Sequence, residues 1–294
     1  MTCIGVLDET RRGKEQRVAI VPEGVARLRR LGLDVAVQCG AGVAAHFADA
    51  AYAATGASVV DVIDAVYERA DVIVRLSRPS LDDIGLTRVD SVVIGLLQPW
   101  SSADLLETLA MREITAFSLE RMPRIARAQS MDVLSSQSTV SGYKAVILAA
   151  AAVGKLFPMM ITAGGTVAPT RVVVLGAGVA GLQAIATARR LGAMVQGYDI
   201  RPATREQVES LGATFITPRL GGNTETQGGY ANALGEQAQQ EEREVLLQAL
   251  HAADVGDYHG SGAGSAGAHV DHSRNGRGDE RWGRHCGYRR GCWR

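Results

Sequence analysis

Arg171-Val-Val-Val-Leu-Gly-Ala-Gly-Val-Ala-Gly181 is the stretch whose reading decides the fold. An unbroken β-branched run ends in a glycine turn and opens into a helical pattern from Val179 to Leu191. The spacing assigns Gly176 to the tight strand-to-helix turn, Gly178 to close backbone approach, and Gly181 to packing of helix on strand. A helix that starts there offers unpaired N–H groups and a partial positive charge to phosphates. A second run, Ala193-Met-Val-Gln-Gly-Tyr-Asp199, ends in an acid at the distance where a ribose-binding carboxylate belongs. Strand, glycine turn, helix, strand and acid together predict a dinucleotide site.

Upstream, the alternation repeats. Cys3 to Leu7 and Arg17 to Val21 read as strands around a charged loop, and Pro22 opens a helix to Leu31 that ends at Gly32. Strands follow at 34–38, 57–60, 71–75, 91–97 and 114–117, with Gly40-Ala-Gly42 as a turn and helices near 62–69 and 103–112. Ala145 to Phe157 reads as a buried helix too short to span a bilayer. Thr214 to Ile216 reads as the third strand of the glycine-motif domain. The fold class is therefore α/β: two Rossmann-like domains with mostly parallel sheets, the second truncated, and an irregular C-terminal tail. The boundaries fall at 1–122, 123–254 and 255–294.

Composition narrows the function. With 294 residues, zero net charge and 46% hydrophobic residues, the chain has room for about two domains and no electrostatic reason to bind nucleic acid. Cys3, Cys39, Cys286 and Cys292, and His259, His269, His272 and His285 of the tail, lack metal-ligand spacing, so no metal site is expected, and the scatter of the cysteines fits a reducing cytoplasm. His46 reads as a surface residue.

Between the domains, Arg124-Ile-Ala-Arg-Ala-Gln-Ser-Met-Asp-Val-Leu-Ser-Ser136 is rich in donors and acceptors and poor in core residues. Composition alone favours a solvated connection leading into a helix that starts near Gln137. With Ser141-Gly-Tyr-Lys-Ala, Val174-Leu-Gly-Ala-Gly-Val-Ala-Gly-Leu-Gln-Ala, Tyr198-Asp-Ile-Arg-Pro and Gly228-Gly-Tyr-Ala, however, this run closely resembles the NAD(H)-binding domain of proton-translocating NAD(P) transhydrogenases. The opening Gly5…Glu9…Arg17-Val-Ala and Gly40-Ala-Gly are shared with the related alanine dehydrogenases. The resemblance runs from residue 1 to about Asp254.

The resemblance implies an alpha subunit that binds NAD(H) and exchanges hydride with NADP(H) on a partner beta subunit. A membrane-embedded proton-channel subunit couples the transfer to proton movement. The implied chain is a homodimer, cytoplasmic and peripheral to the inner face of the cell membrane. Carried over by motif, Arg124, Gln129, Asp132 and Ser135 face the nicotinamide end, and Gln129 and Tyr230 act in catalysis. Gly176, Gly178, Val179 and Gly181 hold the pyrophosphate, Asp199 the ribose with Arg201 beside it, and Gly229 and Tyr230 a closing loop. Hydride transfer between two nicotinamides moves no proton between heavy atoms, so positioning and water exclusion outweigh acid–base chemistry. Alanine dehydrogenase is the competing expectation. Arg17 and Arg75 stand where that family keeps a cationic clamp for a substrate carboxylate, but Gln98-Pro-Trp stands where it keeps an acid–base histidine. A non-catalytic NAD-binding remnant is the third.

After Asp254 the composition changes to Gly, Arg, His and Ser without periodicity. Writing codons for Gly256-Asp-Tyr-His-Gly-Ser as GGT GAT TAC CAC GGC TCT and deleting the first base gives Val-Ile-Thr-Thr-Ala-Leu, which resembles what transhydrogenases place there. A one-base insertion near the codon for Val255, with a premature stop, is the expectation. It predicts no regular structure beyond about Val255, an unpaired edge on the strand Arg171–Leu175, and loss of a returning segment that closes the first domain.

Overall fold

The computed structural model describes residues 1–11, 15–217 and 236–259. The chain divides into two compact units, Met1–Leu134 and Ser135 onward.

The first unit alternates strand and helix in chain order. It runs β1 (Cys3–Val6), α1 (Pro22–Arg30), β2 (Asp34–Gln38), α2 (Asp49–Ala54), β3 (Ser58–Val60), α3 (Ile63–Arg69), β4 (Val72–Arg75), α4 (Leu81–Leu86), β5 (Val92–Gly95), α5 (Ala103–Met111) and β6 (Thr115–Ser118). The six strands are all parallel, in the order β3-β2-β1-β4-β5-β6. Pro22 supplies the first helical position of α1, where its missing N–H costs nothing. Ser80 and Asp83 close a reciprocal capping box at the start of α4. One face of the sheet buries Val6, Val25, Val37 and Tyr52, and the other Leu7, Ile73, Val93 and Leu105.

The second unit begins in α6 (Val133–Ala152) and continues through a hairpin, β7 (Met160–Thr162) and β8 (Gly165–Val167). It proceeds through β9 (Arg171–Leu175), α7 (Val179–Arg190), β10 (Met194–Tyr198), α8 (Thr204–Ser210), β11 (Thr214–Phe215), α9 (Glu236–His251) and β12 (Val255–Tyr258). Its parallel sheet has the order β11-β10-β9-β12. Val172, Val174, Val195 and Ile185 are almost fully buried against α6 and α7, each contributing roughly 1.5–3 kcal/mol of burial.

Four expectations need correction. Arg17–Val21 forms no strand. Val18 is buried in the core and the Ile20 carbonyl accepts the Tyr52 hydroxyl at 3.0 Å, so the run serves packing without a sheet ladder. The helix around Ala145–Phe157 ends at Ala152, and of that stretch Val146, Ala149 and Phe157 are buried while Leu148 is exposed. β9 is not an open edge, because β12 pairs along it from Val255↔Val172 to Tyr258↔Leu175. Residues 255–258 therefore have regular structure despite their poor strand composition, since the exposed side of β9 dictates their conformation. The remainder of the tail, with Cys286 and Cys292, lies outside the described residues.

Candidate functional site

The sheet of the second unit reverses its order between β9 and β12, which puts the switch point, where open α/β sheets bind ligands, at the C-terminal ends of those two strands. Gly176 leaves β9 at φ +96°, a conformation that strains any side chain, and its N–H donates to the Tyr198 carbonyl at 2.7 Å. A Cβ on Gly181 would stand 1.7 Å from the Gly176 carbonyl oxygen, so only glycine lets α7 approach this turn. Gly178 has open space where its Cβ would be. It is the N-cap of α7 without a side-chain cap, and the first turn holds no acid. Open backbone, orphan N–H groups and no competing carboxylate fit a pyrophosphate. Val179 is half exposed beside it. α6 packs as tightly against this end, since a Cβ on Gly142 would stand 2.0 Å from the Ala180 carbonyl oxygen.

Asp199 follows β10 and is buried, 9% exposed. Its Oδ2 accepts the Ala177 N–H at 2.8 Å, which ties the acid to the glycine turn. Arg201 returns upon the same carboxylate through its backbone N–H and its guanidinium. The Thr204 N–H and hydroxyl both donate to the Arg201 carbonyl, at 3.2 and 2.7 Å, as α8 begins. Thus Gly176, Gly178, Val179, Gly181, Asp199 and Arg201 are brought together.

The remaining expected residues belong to other segments of the chain. Arg124, Gln129 and Asp132 belong to the first unit, on and around a 3-10 turn over Ala126–Met131, where the Asp132 N–H donates to the Gln129 carbonyl at 3.2 Å. Arg124 and Gln129 are exposed and Asp132 half-buried. Ser135 opens the second unit in the first turn of α6, its carbonyl accepting the Thr139 hydroxyl. Gly229 and Tyr230 lie outside the described residues.

One residue on the β12 side of the switch point, Asp257, went unread in the sequence. It lies in β12, and the Nε2 of His259, the residue after the strand, is 2.7 Å from Asp257 Oδ2. The His259 N–H donates to the Leu175 carbonyl at 2.7 Å. The alternation of β12 puts Asp257 on the face of Val255, a core residue, which is an unusual place for a charge.

In the first unit, Arg75 is buried and answers to its own chain. Its Nε donates to the Ser77 carbonyl at 2.7 Å, Nη1 reaches Asp83 at 3.2 Å, and Glu9 stands 4.0 Å away. Glu9 also accepts the N–H groups of Leu76 and Ser77, both at 2.6 Å. Arg17 is exposed and bidentate to Glu15, whose carboxyl that contact holds below the usual carboxylate range. The two arginines are thus engaged by carboxylates of the protein, which weakens the case for a substrate clamp. At the end of β5, Gln98 sits at φ +52°, and Glu120 accepts its N–H at 2.8 Å and that of Leu97 at 3.2 Å. Glu120 is a second residue the sequence did not single out. Among the described residues, no group of three or more His, Cys, Asp or Glu could hold a metal ion.

Comparison with known proteins agrees with this geometry. Residues 5–141 match the alanine dehydrogenase/PNT N-terminal domain and residues 145–256 the alanine dehydrogenase/PNT C-terminal domain. An NAD(P) transhydrogenase alpha subunit of Rhodospirillum rubrum is 46% identical over 256 residues, covering 85% of this chain and 67% of that protein. An alanine dehydrogenase of Mycobacterium tuberculosis is 31% identical over 239 residues, covering 78% of this chain and 62% of its own length. The solved transhydrogenase from Sinorhizobium meliloti superposes with a TM-score of 0.75 at 41% identity, covering 87% of this chain and 69% of that one.

Proposed function

Because the chain belongs to the alanine dehydrogenase/PNT family, we propose that it is the NAD(H)-binding alpha subunit of a proton-translocating NAD(P) transhydrogenase. Gln98 at the end of β5 carries the choice within the family. An alanine dehydrogenase must remove a proton from its amino-acid substrate, and an amide cannot. The engaged state of Arg75 supports the same side.

In this reading NAD(H) supplies the hydride when bound. The residues of this chain hold and orient. The α7 N-terminus and Gly178 receive the pyrophosphate, and Asp199 the adenosine ribose. Arg124, Gln129, Asp132 and Ser135 address the nicotinamide end, where an amide side chain matches a carboxamide in both donor and acceptor. Gly229 and Tyr230 close over the site. The acceptor is NADP(H) on a beta subunit, with a membrane-embedded subunit carrying protons. No helix among the described residues is long and apolar enough to cross a membrane, which suits a subunit held at the inner membrane face by its partners. A homodimer is supported by the apolar side chains left exposed on α6 and around the hairpin, Val140, Tyr143, Met159 and Ile161 among them.

The reading also holds that residues from Gly256 onward are translated in a shifted frame, which lowers activity. The family match ends at residue 256, and a buried Asp257 replaces the apolar residue that the restored frame supplies.

The test is a pair of assays on the purified chain. Alanine with NAD should give no NADH above background. Hydride transfer to an NADP analogue should appear only with the NADP-binding partner, rise when the frame is restored, and fall in Gln129→Ala and Tyr230→Ala. Alanine-dependent NADH formation would move the chain to the dehydrogenase side.

A further inference from the structure

Every acceptor position of Asp199 is occupied. Oδ1 takes the Arg201 backbone N–H and Nε, both at 2.9 Å, and Oδ2 takes the Ala177 N–H at 2.8 Å and Arg201 Nη2 at 2.9 Å. A carboxylate offers about four lone-pair sites. Two are held by backbone groups that the turn and β10 fix in place. The other two are held by a side-chain fork, the bidentate geometry that makes arginine–carboxylate pairs strong. Asp199 is buried, while the Arg201 side chain is 24% exposed and has a path to solvent.

We propose that Arg201 is a latch on the ribose-binding carboxylate. In the free chain its guanidinium fills the two acceptor positions a ribose diol needs, and it must swing away for a dinucleotide to bind. The displaced cation then stands beside the ribose 2′ position and sets the discrimination between dinucleotides with and without a 2′-phosphate. This rests on the reading of Asp199 as the ribose carboxylate.

The two cofactor classes meet the latch differently. For a plain ribose, two neutral hydroxyl donors replace two charged ones, so binding is weaker than to an open carboxylate. For a 2′-phosphate, Asp199 repels the ligand, but the released guanidinium finds a new anionic partner. Arg201 therefore weakens NAD(H) binding and strengthens NADP(H) binding, compressing the preference Asp199 would impose alone.

The experiment is equilibrium titration of the 294-residue chain with NADH and NADPH by nicotinamide fluorescence, beside Arg201→Gln and Arg201→Lys, with thermal melting as the fold control. In Arg201→Gln the NADH dissociation constant should fall about fivefold and that for NADPH rise about tenfold, the scale of one charge-assisted hydrogen bond. Arg201→Lys keeps the charge but not the fork, so NADH should tighten while NADPH stays near the parent value. NADH binding by Arg201→Gln where the parent shows none would support the latch as well. An Arg201→Gln that melts like the parent and binds NADH equally or more weakly overturns it while leaving the ribose site standing. If Arg201→Gln does not fold, Arg201→Lys decides, and equal or weaker NADH binding there overturns the latch. Folded parent and variants that bind neither dinucleotide sink the ribose-site reading, and the latch with it.

Discussion

If residues from Gly256 onward are read in a shifted frame, the four residues Gly256 to His259, at and just past the end of β12, should fit their places worse than those the restored frame encodes. The perturbation is Gly256→Val, Asp257→Ile, Tyr258→Thr and His259→Thr together. Asp257 lies on the core face of β12, 9% exposed. An isoleucine there gains roughly 1.5–3 kcal/mol of apolar burial. Replacing a mid-strand glycine contributes about 0.5–1 kcal/mol. The nearest obstacle to a Gly256 Cβ is the end of the Leu250 side chain at 3.2 Å, which can shift. Asp257 and His259 are each other's partner, and removing both leaves no orphaned charge. Against this stands the loss of Tyr258, which packs on the cluster of Leu175 and Leu246, at about 1 kcal/mol. The net is a gain of about 2 kcal/mol, or about 4–8 °C in melting temperature for a domain of this size. Thermal and urea unfolding followed by circular dichroism measure it. Asp257→Ile alone should gain less, because His259 loses its partner. A fourfold variant that melts at or below the parent would refute the reasoning, since a foreign stretch should not fit better than the native one.

Two further outcomes follow from single positions. Gly181→Ala should destabilise the second unit by about 3 kcal/mol or more and abolish NADH binding, whereas Gly178→Ala, with open space around its Cβ, should melt like the parent and lose only binding. A stable Gly181→Ala in a melting experiment would contradict the 1.7 Å approach. Burial, with Asp49 nearby, pushes the Tyr52 phenol up to about 12. The native state therefore holds it neutral while the unfolded chain ionises near 10, so stability complete below pH 10 is lost as pH rises from about 10 to 12, by up to about 3 kcal/mol. Tyrosinate absorbance should show a late-titrating component, and Tyr52→Phe should lower it by one residue's share.

What was legible in the sequence was local. The helix over 179–191 is observed over Val179–Arg190, and the strands around it fall where expected, because β-branched runs and a 3.6-residue period carry their own information. The linker helix, expected from about Gln137, begins at Val133, since Ser135 and Ser136 read as loop in the sequence. The six-residue helices α2 and α4 carry too few turns to show a period. Long-range pairings left no trace. Nothing near Glu9 announces that it will accept two N–H groups 67 and 68 residues away. The Asp199–Arg201 clasp spans two residues, and its partners were named from the sequence, but saturation of the carboxylate emerges only when the Ala177 N–H arrives from the other strand.

β12 also has a place in time. It joins β9 from 83 residues down the chain, held by the Asp254 carboxylate accepting the Arg171 N–H at 2.8 Å and the Lys155 ammonium at 2.7 Å. Closing so long a loop costs entropy before any contact is returned. β9, α7 and β10, by contrast, are neighbours in sequence and supply most of one shared core cluster. The second unit is thus expected to assemble β9–α7–β10 first and to add β12 last, and to lose it first when it opens. Amide exchange would report this order as slow exchange at Val172–Val174 on the β10 side and fast exchange at Gly256 and Tyr258. The site forms where the early part and the late part meet, so its crevice exists only for the fraction of time that the last strand is docked.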